Sequence, residues 1–188
     1  MSIKKETVFF VIVVLSAIFV TFKSYKPNPK LSIEAVVSKQ KEALHSIYQE
    51  RANSKVKTIQ TNTIEFPSGR ALTHALYGEI GFKTNFFMDL KADFDTFEEQ
   101  TFFFDIYSDD GFVLFIDDKK ICDFQGDRAY QKTGCSTKLK SGTHSMKLSY
   151  FQGGGPLGLT MFYYTHQGKK WRVFGEDSEQ LVTISLPQ

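Results

Sequence analysis

The chain has little with which to build a redox, zinc or hydrolytic centre. Only two cysteines, Cys122 and Cys135, occur in 188 residues. They form no CxxC pair, and His144 and His166 have no partners at zinc-ligand spacing, which argues against a zinc site. No nucleophile elbow, zinc-protease motif or histidine-centred constellation occurs, so the chain does not read as an enzyme. Charge of one sign is scarce as well, with a formal net charge of +2. The lysines are scattered, and no basic cluster is interleaved with exposed aromatics, so nucleic acid is not an expected partner. The glycines Gly153, Gly154 and Gly155 are not followed by GK[ST] and lead into a strand, which argues against a phosphate cradle. Internal repeats and low-complexity segments are also missing.

What is present is apolar and aromatic. The chain is 41% hydrophobic and 15% aromatic, with 19 Phe, which is ample for a core. Its middle alternates with period two. Phe102, Phe104 and Ile106 share a face, as do Phe112, Leu114 and Ile116. Met146, Leu148 and Tyr150 repeat the pattern, and Leu157, Leu159, Met161 and Tyr163 follow. Half-buried antiparallel strands require this period. Val56 to Thr61 reads as another strand, Pro67-Ser68-Gly69 as a turn, and Asp117-Asp118 as the tip of a tight hairpin. The tail segments Trp171–Phe174 and Leu181–Ile184 could add edge strands. Many short strands with glycine-rich turns predict a mainly β chain folded as an antiparallel β-sandwich.

The N-terminal part reads differently. Lys4 and Lys5 precede an uncharged run over residues 7–22, broken only by Ser16 and Thr21 between Val8 and Phe22. The run is longer than a signal-peptide core and shorter than the roughly 20 residues of a full span. No clear Ala-x-Ala cleavage site follows, and Lys23 and Lys26 could snorkel to extend the span. The expectation is a single-pass membrane signal-anchor with Lys4 and Lys5 inside. Residues 1–30 then form the cytoplasmic tip, the transmembrane helix and a Pro27-Asn28-Pro29 linker. Residues 31–54 form an amphipathic helix, with Ser32 as N-cap and Ile33, Val36, Val37, Leu44, Ile47 and Tyr48 on its apolar stripe. Residues 55–188 form the sandwich.

Ser108-Asp109-Asp110-Gly111 is the most informative stretch. Adjacent side chains of an ordinary strand point to opposite faces, so neighbouring Asp do not normally converge. Were their peptide bond cis, both carboxylates could face one oxygen-seeking cation, with calcium the natural choice. The other reading is a solvated Asp-Asp-Gly turn.

Residues from about Phe86 to Tyr164 resemble the PA14 domain, a β-sandwich of toxins, adhesins, glycosidases and yeast flocculins. Thr101–Tyr107 is similar to the strand entering the family's SDDG motif, which Ser108–Gly111 matches. Leu114-Phe115-Ile116-Asp117 resembles its L-Y-I-D strand, followed here by Asp118 where Gly is common. Leu139–His144 resembles its L-x-x-G-x-H turn, and Lys147–Phe151 with Gln152–Gly155 its penultimate strand and glycine-rich loop. In the lectin branch, the resemblance implies a cis bond and a calcium ion at Asp109 and Asp110, with sugar hydroxyls completing the shell. Gln152 stands by position for the flocculin-type Asn ligand. The backbone of Gly153, Gly154 and Gly155 would line the ligand, and Asp123, Gln125, Asp127, Arg128 and Tyr130 could rim a sugar or form a solvated loop. The partner implied is a glycan or glycoconjugate, met outside the cytosol, at the periplasm or cell surface. A structural subunit binding proteins of a cell-envelope complex is the second reading. In the sandwich reading Cys122 and Cys135 lie on two strands, where a disulfide would close the intervening loop; two buried free thiols are the alternative.

Overall fold

The structure is a computed structural model that describes residues 30–52 and 56–187. The expected membrane segment at 7–22 lies outside the described residues. Among those described, no helix is long and apolar enough to cross a membrane.

Among the described residues fourteen strands follow one another: β1 (Ile33–Lys39), β2 (Val56–Thr61), β3 (Glu65–Gly69), β4 (Thr73–His74), β5 (Gly78–Glu79), β6 (Phe86–Thr96) and β7 (Gln100–Asp109), then β8 (Phe112–Ile116), β9 (Lys119–Phe124), β10 (Gln131–Leu139), β11 (Gly142–Gln152), β12 (Leu157–Thr165), β13 (Arg172–Val173) and β14 (Leu181–Thr183). One sheet runs β2-β1-β6-β11-β8-β9, with β14 also paired to β6. The other runs β10-β7-β12-β13, with β3 also paired to β12. The strands β4 and β5 form a separate two-stranded ribbon. Every pairing is antiparallel.

The period-two faces fill the core between the two main sheets. Phe102, Phe104 and Ile106 of β7 meet Leu148 and Tyr150 of β11, Phe112 and Leu114 of β8, and Leu159 and Met161 of β12 in one buried cluster. Burial of such rings and branched chains contributes about 2 kcal/mol each.

Residues 33–39 correct the expected amphipathic helix. Ile33, Ala35 and Val37 point into the core at every second position, and β1 pairs with both β2 and β6. Period two, with β-branched residues, outweighs the broken helical stripe. Ser32 is no N-cap; its N–H donates to the Thr61 carbonyl. Residues 40–52 form an irregular strap on the outer face of the larger sheet. Leu44 and Ile47 pack there on Phe87, Val113 and Phe151 as a second apolar cluster. The Arg51 guanidinium lies 4.2 Å from the Phe87 ring centroid and pairs with Asp89. Tyr48, expected on the stripe, is exposed.

Pro67, Ser68 and Gly69 belong to β3 and do not form the expected turn. A proline is admissible there because β3 pairs only with β12. Asp117 and Asp118 do form the β8–β9 hairpin tip, both at positive φ, as a two-residue turn demands. Cys122 and Cys135 are joined as a disulfide between β9 and β10. These strands are the outermost of their respective sheets on one side, so the bond links edge to edge.

Replacing both cysteines by serine is expected to cost about 3 kcal/mol, the loop-closure entropy released by cutting a short ring. Urea unfolding of the two proteins measures it. An unchanged midpoint would mean that the bridge constrains nothing.

Candidate functional site

The end of β7 and the start of β8 meet at Asp109, Asp110 and Gly111. The Asp109–Asp110 peptide bond is cis. Both aspartates are buried, at 5% and 4% exposure. Gly111 is required by crowding, because a Cβ there would lie 2.5 Å from the Phe124 carbonyl oxygen and 2.6 Å from the Phe151 ring.

Asp110 is gripped by two loops. Its Oδ1 accepts the Arg128 backbone N–H at 3.2 Å, and its Oδ2 accepts the Gly153 N–H at 2.8 Å. The Ser108 hydroxyl donates to the Asp110 carbonyl oxygen and accepts from Arg128 Nη2 at 2.6 Å. Arg128 also donates to Thr133 Oγ1 at 2.8 Å, and its guanidinium lies 4.4 Å from the Phe124 ring centroid. Of the rim candidates, Arg128 is therefore turned inward to brace the motif. Asp127 pairs with His45 Nδ1 at 2.9 Å, and Asp123 accepts from the Tyr48 hydroxyl. Tyr130 donates to Thr160 Oγ1.

Gln152 is fully buried beside the motif. Its Nε2 donates to the carbonyl oxygens of Gly154 and Pro156, and its Oε1 lies 2.5 Å from the Tyr150 hydroxyl. The same hydroxyl contacts the Asp109 carbonyl oxygen. The amide expected to reach a cation thus shapes the glycine loop and would have to rearrange to ligate. Among the glycines, Gly153 carries the tightest demand: a Cβ there would lie 2.5 Å from the Leu44 carbonyl oxygen. Gly154 lines the adjoining cavity with Asp110, and Gly155 sits at positive φ, where a side chain is strained.

Of the wall opposite Asp110, sequence reasoning named only Asp127 and missed the rest. A cavity of about 330 Å³ opens there, walled by Leu44 and His45 of the strap, Asn85 and Asp127. Asn85, at positive φ, ties the wall together. Its N–H donates to the Gly153 carbonyl oxygen, while its Oδ1 accepts from the Leu44 N–H. An asparagine just before a long strand is a signal of such a turn, because Asn tolerates the left-handed region.

The electrostatics are those of two acids in a poorly solvated place. Burial, then the neighbouring Asp110 charge, pushes the Asp109 carboxyl up to about 6 against Tyr130 and Arg128. Burial also raises Asp110, with Asp127 adding to it. Each carboxylate oxygen keeps a further lone pair beyond the bond it accepts. Carboxylates and loop carbonyls are the donor set of a hard divalent cation. Among the described residues no cluster of three or more His, Cys, Asp or Glu is placed to hold a metal. Backbone oxygens and water would therefore have to supply most of its shell.

Two outcomes follow from this geometry. A carboxyl whose folded pKa is raised favours the folded state while it is protonated. In chelator-treated protein, stability should therefore fall as pH rises from about 4 to about 6, and the fall should shrink in Asp109→Asn. Urea midpoints across that range measure it; a flat profile refutes it. Gly153→Ala should push the strap away from the loop, read as faster amide hydrogen exchange at Leu44 and Ile47. Unchanged exchange at those two amides would contradict the packing.

No protein-family model and no curated protein matches the chain. Among solved structures, the PA14 sugar-binding domain of an RTX adhesin aligns with TM-score 0.64 at 15% identity, over 77% of this chain and 95% of that one. The PA14 domain of the MpAFP antifreeze protein aligns with TM-score 0.63 at 14% identity, over 85% and 94%. The Epithelial Adhesin 9 A domain of Candida glabrata, solved with Galb1-3GlcNAc, gives TM-score 0.57 at 11% identity, over 87% and 99%. With this agreement across nearly the whole length of those domains, the described residues of this chain adopt a PA14-like fold.

Proposed function

We propose that this chain is a carbohydrate-binding module in which a calcium ion on Asp109 and Asp110 holds the sugar. The observation that carries the proposal is a buried pair of adjacent carboxylates, of which Asp110 lines a cavity and keeps lone pairs to spare. Two like charges so placed gain most from a divalent cation. The named functions of two structural neighbours support the ligand class: one is a sugar-binding domain, and another was solved with Galb1-3GlcNAc. The ion would supply the electrostatic hold on vicinal hydroxyls. The chain's own part is to fix the Asp110 carboxylate, through the backbone N–H groups of Arg128 and Gly153, and to wall the cavity with Leu44, His45 and Asn85. The run at 7–22 would anchor the module in a membrane with the sandwich outside the cytosol. Single-site affinity of such a shallow site would be weak, so adhesion would draw on many copies.

Calorimetric titration with calcium tests the proposal. Saturable binding is expected, lost in the Asp109→Ala/Asp110→Ala double variant, with calcium-dependent retention on immobilised Galβ1-3GlcNAc or another neutral glycan. A tightly bound ion at about 100 times its Kd should add about 2.7 kcal/mol of stability. A folded native protein that takes up no calcium would falsify the mechanism.

A further inference from the structure

A second surface is built for a ligand, on the outer face of the smaller sheet. Phe103 of β7, Tyr164 of β12 and Trp171 just before β13 line a groove of about 390 Å³. Their rings form a continuous strip, with centroids 6.0 Å apart for Phe103 and Tyr164 and 5.2 Å for Tyr164 and Trp171. Solvent-facing strand positions are ordinarily polar. Trp171 is nevertheless 42% exposed.

The groove's floor is unusual. Gly134 lies in the middle of β10, where register with β7 runs unbroken from Gln131 to Leu139. There is no bulge, and Gly134 is not among the positive-φ glycines. A glycine costs a strand stability, and without a conformational reason it marks a close approach by something else. A Cβ there would meet only Asp105 Oδ1, at 3.2 Å. Asp105 in turn pairs with Lys132 at 3.1 Å, and both border the groove.

We infer that this groove is a second, metal-independent saccharide site, in which a neutral pyranose stacks on Tyr164 and Trp171 above Gly134 and bonds to the Asp105–Lys132 pair. The chemistry selects this class. Aspartate and lysine cancel in charge, and His166 packs its ring against Phe103 and Tyr164, so the groove carries no fixed surplus of either sign. Covering an ion pair is costly unless its remaining lone pairs and protons find partners. A purely apolar ligand offers none. Sugar hydroxyls donate to Asp105 and accept from Lys132, while the C–H face of the ring suits an aromatic strip. The groove is separate from the aspartate pair, since even Asp105, its nearest residue on β7, lies four residue steps or about 13 Å along the strand from Asp109.

Trp171 is the only tryptophan, so its emission reports this groove directly. The full-length chain, kept in EDTA, is titrated with cellohexaose, maltohexaose and β-1,4-galactotetraose. The expected result is a saturable emission change with at least one sugar. Affinity should fall at least about tenfold in Gly134→Val, which fills the floor with a good strand former, and in Asp105→Ala, which removes the acceptor. The melting temperature of each variant verifies its fold. No emission change with any of the three sugars overturns the inference. So does native affinity in both variants, or an emission change that follows protein concentration alone, which would make the face a contact between copies. Because calcium is absent, failure here leaves the proposal at Asp109 and Asp110 standing, and failure there leaves this one standing.

Discussion

The Asp110 carboxylate holds one end of the sandwich together. Through one oxygen it takes the Arg128 N–H, and through the other the Gly153 N–H. Gly153 passes the connection on to Asn85, and Asn85 to Leu44. Five segments distant in sequence are thus fixed by one short series of hydrogen bonds. Each bond uses a backbone group that would otherwise be poorly solvated, so losing one costs more than making it gains. The cavity beside Asp110 is a product of that series. So is the path of the strap, whose Leu44 and Ile47 also cover the outward-facing Phe87, Val113 and Phe151.

Much of the sandwich could be read from the sequence because its signal is local. Through the middle of β7, β8, β11 and β12 alternate residues, Phe102 to Ile106, Phe112 to Ile116, Met146 to Tyr150 and Leu157 to Tyr163, are large, apolar and buried. The site was legible in part for the same reason: Ser108-Asp109-Asp110-Gly111 is contiguous. What failed was non-local. Ile33, Ala35 and Val37 carry the period of a strand, but Val36, Leu44 and Ile47 overlay a helical one. Only pairing with β2 and β6 decides between them. Apart from Asp127, the cavity wall was invisible because His45 and Asn85 come from segments far from the aspartates in sequence. Gln152 is held by the Tyr150 hydroxyl and two carbonyls that claim its amide, and no spacing rule reveals that.

The two faces of the smaller sheet divide their labour by parity along β7. Phe102, Phe104 and Ile106 build the core, and Phe103, Asp105 and Tyr107 are half-buried on the outer face. Because the alternation continues to Asp109, the outer face leads from the aromatic groove toward the buried aspartates. Tyr107, with Tyr130 and Phe162 beside it, stands between them. A strand with large residues on both sides has little freedom to slip, since a shift of one residue would exchange core and surface.

A sandwich of two open sheets presents strand edges that can recruit a strand from another molecule. Here a single covalent bond guards two edges at once, because Cys122 and Cys135 sit on the outermost strands β9 and β10. Lys119 and Lys120 on one strand, with Lys132 and Lys138 on the other, add charges that disfavour an incoming backbone. Until the cysteines join, those two edges lack their covalent guard and are open to strands from other newly made chains.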